Sequence, residues 1–113
     1  MQYICLIYGQ EGGPDDPAIL KRYGDLVQEM REAGKMVAGE RLQPSTAATT
    51  VRIRNGETLT TDGPFAETKE VLGGFFILDC ESLDEALAYA EKIPAAEHGA
   101  VEVRPIAQVP ARV

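Results

Sequence analysis

Gly73-Gly74-Phe75-Phe76-Ile77-Leu78-Asp79-Cys80-Glu81-Ser82-Leu83-Asp84-Glu85-Ala86-Leu87-Ala88-Tyr89-Ala90 joins a strand directly to a helix. The continuous apolar run Phe75 to Leu78 predicts a buried strand over Gly73 to Cys80. Ser82-Leu83-Asp84-Glu85 then has the form of a capping box, in which the Ser82 hydroxyl and the Glu85 carboxylate each satisfy the other's end of the backbone. Leu83, Ala86, Leu87 and Ala90 recur at helical spacing as an apolar stripe, and Pro94 ends the helix. A last strand follows over Ala100 to Ile106, with Val101 and Val103 on one face and Glu102 and Arg104 on the other. This half of the chain therefore reads β-α-β.

The first half has the same order. Tyr3-Ile4-Cys5-Leu6-Ile7-Tyr8 is a continuous β-rich apolar run, as expected of a central strand. The loop Gly9-Gln10-Glu11-Gly12-Gly13-Pro14 is rich in glycine. It lacks the Gly-Lys-Ser/Thr ending of a phosphate loop and is read as a turn. Asp16-Pro17 is a helix start, since Asp16 can cap free N–H groups and Pro17 sacrifices nothing at the first helical position. Ile19, Leu20, Tyr23, Leu26, Val27 and Met30 form the apolar side of that helix, and Gly34 is a left-handed stop. A strand follows at about Lys35 to Leu42. Between the halves, Thr49 to Arg54 and Glu57 to Thr61 flank Asn55-Gly56, the dipeptide of a type I′ hairpin turn. Two split βαβ units with an inserted β-hairpin make an α+β, ferredoxin-like fold with both helices on one face of the sheet. The other face is left apolar and uncovered, so a homodimer through that face is expected.

The 113 residues fit one domain, 1–113, with a core at about 1–107 and a short C-terminal tail at 108–113. A net charge of −7 disfavours nucleic acid and anionic lipid as partners. No run approaches the roughly 18 apolar residues that span a bilayer, and no basic segment precedes the first apolar run, so a cytoplasmic protein is expected. Cys5 and Cys80 read as small buried thiols. One histidine and two separated cysteines do not make a zinc site, and no cofactor is expected.

Asp62-Gly63-Pro64-Phe65-Ala66-Glu67-Thr68-Lys69-Glu70 resembles the signature of the DGPF branch of the YCII-related domain family. Leu6-Ile7-Tyr8-Gly9, Gly39 to Pro44, Thr49 to Arg52, Leu72 to Phe76 and Val101 to Pro105 agree with it in order. The resemblance covers all but the last few residues and implies a dimeric α+β barrel. Relatives in the wider superfamily include cofactor-free isomerases, dehalogenating lyases and monooxygenases acting on small acids or quinols. DGPF members are often encoded beside extracytoplasmic-function sigma factors, which implies an accessory or regulatory setting.

Asp62 is the candidate catalytic carboxylate, a general base or substrate-orienting acid. The structural reading leads, since an Asp in an Asp-Gly-Pro turn can accept hydrogen bonds from downstream N–H groups, which is reason enough for the residue. Thr68 and Lys69 on the same loop, Arg41 and Tyr8 are the candidate substrate-binding residues. An arginine is a bidentate clamp for carboxylates, and a tyrosine at a strand end can donate to a substrate oxygen. Glu40 and Arg41 are expected on opposite faces of their strand. Phe65 is expected to anchor its loop to the core. His98, in the loop between the second helix and the last strand, is expected from its position to be an exposed loop residue rather than a catalyst. Some YCII relatives pair a histidine with an aspartate in the pocket; the first strand and first helix here contain no histidine, which argues against histidine-dependent chemistry.

Two functions follow as expectations. One is a cofactor-free isomerase or lyase for a small acidic or phenolic molecule. The alternative is a non-catalytic metabolite-binding or accessory module associated with transcription regulation.

Overall fold

The computed structural model describes residues 1–109. In chain order the elements are β1 (Gln2–Gly9), α1 (Pro17–Glu32), β2 (Met36–Arg41), β3 (Thr49–Arg54), β4 (Glu57–Asp62), β5 (Val71–Asp79), α2 (Leu83–Ala90) and β6 (Ala100–Pro105), with short 3-10 turns at Ser45–Ala47 and Pro94–Glu97. Four strands form one sheet in the order β2-β5-β1-β6, and every neighbouring pair is antiparallel. Each βαβ unit is thus split by a strand of the other, which makes the fold α+β and ferredoxin-like. Of the expected tail, Ile106 donates its N–H to the Gln2 carbonyl at 2.9 Å, residues 107–109 have no regular structure, and 110–113 lie outside the described residues.

Local chemistry sets the helix ends. The Asp16 carboxylate accepts from the Ala18 N–H at 2.9 Å, and Pro17 opens α1. At the other end Gly34 takes φ +71°, the Gly34 N–H donates to the Arg31 carbonyl and the Lys35 N–H to the Met30 carbonyl. That pair of bonds is a Schellman stop, and the positive φ suits glycine. In α2 the Ser82 hydroxyl accepts from the Glu85 N–H at 3.2 Å as expected. The reciprocal bond is displaced by one residue, since the Glu85 carboxylate accepts from the Glu81 N–H at 3.1 Å. Lys35, 2.9 Å from the same carboxylate, draws it away from the cap.

The core lies between the helices and one sheet face. Tyr3, Cys5, Phe76 and Leu78 point into it from β1 and β5, against Leu26 and Met30 of α1 and Ala86, Ala90 and Ile93 of the α2 segment. Each large side chain so buried contributes roughly 1.5–3 kcal/mol. The helix stripes differ from expectation at Leu20, Leu83 and Leu87, which are exposed. The short α2 meets the sheet through Ala86 and Ala90, and small side chains bring it close. Leu83 and Leu87 lie about 60° around the helix from that line, where no element among the described residues covers them.

Alternation puts Ile4, Leu6, Phe75 and Ile77 on the opposite sheet face, with Ile4 paired to Ile77 and Leu6 to Phe75. All four are half-buried, and among the described residues the helices pack on the other face. The hairpin β3–β4 is a separate two-stranded ribbon, turned by Asn55 at φ 52° and Gly56 at φ 77°. It projects from the body, which gives a radius of gyration of 16.3 Å. A compact chain of this length would have about 13 Å. No helix among the described residues is long and apolar enough to cross a membrane.

Candidate functional site

β5, β1 and β6 are neighbours in the sheet, so the start of β5, the end of β1 and the start of β6 meet at one sheet end. The segments attached there bring Gln10, Thr68, Lys69, Glu70 and His98 around a cleft of about 510 Å³. Its lining combines a cation, a carboxylate, an imidazole, a hydroxyl and an amide, a donor and acceptor set suited to a small polar molecule.

Each part is held by identifiable contacts. The Thr68 hydroxyl donates to the Glu70 carbonyl and shapes the loop entering β5. His98 caps the 3-10 turn at Pro94–Glu97, and Gly99 behind it donates its N–H to the Ala95 carbonyl at 2.7 Å. A Cβ on Gly99 would lie 2.2 Å from the Tyr8 carbonyl oxygen, so this close approach to β1 requires glycine. Both terminal guanidinium nitrogens of Arg22, Nη1 and Nη2, donate to the Glu97 carboxylate, tying α1 to the turn that carries His98. Those hydrogen bonds hold the Glu97 carboxyl below its ordinary range. Tyr23, on the next residue of α1, has its phenol pushed up by burial, partly offset by the Ala95 N–H donating to it.

The β1–α1 loop is anchored on the far side. The Glu11 carboxylate accepts from the Ser45 N–H at 2.6 Å and from the Ser45 hydroxyl, and these bonds lower its carboxyl pKa. Arg41 donates to Asp15 at 2.7 Å, which lowers the Asp15 carboxyl likewise.

The candidate residues are therefore divided. Thr68 and Lys69 line the cleft. Arg41 does not; its exposed guanidinium is engaged by Asp15. Glu40 lies opposite Phe75 on the open sheet face. Tyr8 is half-buried on β1, two residues before Gln10, and is not in the lining. Asp62 ends β4 opposite Thr49, exposed, at the base of the ribbon and outside the cleft. Its turn is held by other groups: the Thr50 hydroxyl donates to the Gly63 carbonyl at 2.8 Å, and the Gly63 N–H donates to the Ala48 carbonyl at 2.7 Å. Phe65 departs from expectation outright. It is 78% exposed, so the loop has no aromatic anchor, and Arg52 reaches its carbonyl instead at 3.5 Å.

Sequence reasoning missed Gln10 and Glu70 and left His98 without neighbours. The available signal was topological: in a ferredoxin-like strand order, segments flanking β5, β1 and β6 converge. No cluster of three or more His, Cys, Asp or Glu residues among the described residues could hold a metal ion. Cys5 and Cys80 are free and buried.

Residues 1–110 match the YCII-related domain family. The chain is also 43% identical, over 95% of its length and 93% of the relative's, to the uncharacterized protein R00369 of Rhizobium meliloti (strain 1021). Nearly the whole chain, cleft-lining residues included, lies within both matches, and it belongs to the YCII-related domain family.

Proposed function

We propose that this domain binds a small acidic or phenolic molecule in the cleft of Gln10, Thr68, Lys69, Glu70 and His98 and moves a proton on it, as a cofactor-free isomerase or lyase. The observation that carries this reading is that the chain's single histidine stands in the same cleft as Lys69 and Glu70. A lysine ammonium attracts a carboxylate or phenolate, and an imidazole is the side chain best suited to take and return a proton near neutral pH. Gln10 adds an amide that can donate to or accept from a neutral oxygen. We assign the proton transfer to His98 rather than to Asp62, because Asp62 lies outside the cleft.

We also take two copies to pair through their open sheet faces, where Ile4, Leu6, Phe75 and Ile77 would leave water together. A cytoplasmic setting goes with this reading and fits two thiols that remain free.

The alternative, a non-catalytic metabolite-binding or accessory module in transcription regulation, is favoured by one feature. All five lining side chains are exposed, so the cleft alone does not exclude water from a reacting group.

A thermal-shift screen against hydroxy acids, keto acids, phenols and lactones separates the readings, with Lys69→Met and His98→Gln beside the wild type. A ligand at 100 times its Kd adds about 2.7 kcal/mol, a rise of several degrees for a domain this size. A hit lost in Lys69→Met supports the cleft, and turnover of that hit lost in His98→Gln supports the enzyme. Binding without turnover supports the accessory module, and a hit that neither variant weakens refutes the site.

A further inference from the structure

We infer that the β3–β4 ribbon is an intersubunit arm, lying against a second copy of this chain and contributing a substantial share of the interface. The inference rests on the two-copy reading for its partner but concerns a different surface.

The ribbon is anomalous on its own. Of its twelve strand residues only Thr50 is partly buried, and Val51, Ile53 and Leu59 are 61%, 65% and 43% exposed. With Phe65 at its base, it holds four of the twelve large hydrophobic side chains exposed among the described residues. A lone two-stranded hairpin is at best marginally stable in water and needs packing against something else. The register gives the ribbon two unlike faces. Val51 pairs with Thr60 and Ile53 with Thr58, while Arg52 pairs with Leu59 and Arg54 with Glu57. Val51, Ile53, Thr58 and Thr60 thus make one face apolar and β-branched, with Asp62 at its base opposite Thr49, while Arg52, Arg54 and Glu57 lie on the other face together with Leu59.

Three considerations make the occupant a second copy. First, a C2 pair is self-complementary, so one chain with both an uncovered sheet face and an uncovered arm can satisfy both in one closed assembly. Second, area favours it. The four-stranded face, about 20 Å long and about 19 Å wide, offers roughly 400 Å² in plan, half of the roughly 800 Å² that each partner of a standard interface buries. One ribbon face of about 20 by 10 Å adds roughly 200 Å², and the place it takes on the partner adds as much again. Third, charge permits it. Arg52 and Arg54 balance Glu57 and Asp62, so residues 49–62 are neutral and the chain's −7 resides elsewhere. The arm can approach an acidic body without net repulsion.

Sedimentation equilibrium over a range of concentrations tests this, comparing wild type with the Val51→Asp/Ile53→Asp pair and with Leu6→Asp on the sheet face. Both arm residues are exposed in the single chain, so far-UV circular dichroism of the pair should match wild type. The expected result is a dimer whose Kd rises by about tenfold or more in the arm variant. A dimer unchanged by the arm variant but dissociated by Leu6→Asp would overturn the arm and leave the sheet-face pairing standing. A wild-type monomer at every concentration would overturn both. An arm variant that stays dimeric while wild type captures an additional, different protein would show the ribbon to be a docking site for that protein, which also overturns the inference.

Discussion

Gly99 and Tyr8 meet backbone to backbone: any Cβ at Gly99 would stand 2.2 Å from the Tyr8 carbonyl oxygen, 3.1 Å from that of Ala95 and 3.2 Å from the Gly9 Cα. All three obstacles are main-chain atoms, so no side-chain rotation relieves them. This contact seats the 3-10 turn on the end of β1 and puts His98 at the cleft. Gly99→Ala should therefore cost about 2–4 kcal/mol by forcing backbone apart. Urea denaturation measures that loss, and a change in ligand affinity in the same variant would report the displaced imidazole. A loss under about 0.5 kcal/mol would mean the turn shifts freely.

His98 and Lys69 are both exposed, so replacing them should affect ligand far more than fold. His98→Gln and Lys69→Met should each keep stability within about 0.5 kcal/mol of wild type. Lys69→Met should weaken an anionic ligand by roughly tenfold or more, the effect of losing a charged hydrogen-bond partner. Calorimetric titration of any ligand found in the screen provides the number, and it should fall less steeply for neutral lactones than for carboxylates.

The parts of this molecule that were legible in its sequence are those in which one or two residues determine a geometry. Asp16-Pro17 starts α1, Gly34 stops it and Asn55-Gly56 turns the ribbon, each by constraints local to the dipeptide. The β-α-β order was readable for the same reason. The cleft was not, because Gln10, Thr68 to Glu70 and His98 come from three separate connections and become neighbours only through the order β5-β1-β6. His98 was expected on an exposed loop, and it is exposed; what no local pattern could tell was which loops face it. Glu85 illustrates the same limit at smaller scale. Its sequence spacing to Ser82 is that of a capping box, but the distant Lys35 takes part of its carboxylate.

The turn at the head of the DGPF stretch gives a contrast between neighbours. The hydrogen bonds that hold it come from Thr50 and Gly63, not from the Asp62 side chain. Asp62→Asn should leave the melting temperature within about 1 °C of wild type, as for other exposed substitutions. Gly63 sits at φ +98°, where a side chain is strained, so Gly63→Ala should cost about 1–2 kcal/mol. Differential scanning calorimetry on both separates the roles. If Asp62→Asn proved the more damaging, the carboxylate would be holding structure through contacts other than these.

Cys5 sets an alkaline limit on stability. It is wholly buried among Tyr3, Met30, Phe76 and Leu78, and that burial, reinforced by the neighbouring Cys80 thiol, pushes its pKa from 9.0 up to about 11. The folded thiol therefore keeps its proton at a pH where the unfolded one has lost it. Between pH 9 and pH 11 the native state binds more protons than the unfolded state, so stability must fall as pH rises through that window and be unaffected by this group below it. Two pKa units correspond to an upper bound near ~2.7 kcal/mol, and partial relaxation around the thiolate brings the expected loss to about 2 kcal/mol. Cys5→Ala removes the titration and should flatten this part of the profile, at a cost of about 1 kcal/mol for the lost sulfur at every pH. Urea midpoints measured from pH 7 to 11 on both proteins check it. Parallel profiles would mean that another group, the neighbouring Cys80 thiol, also raised by burial, or the raised Tyr23 phenol, sets the alkaline slope.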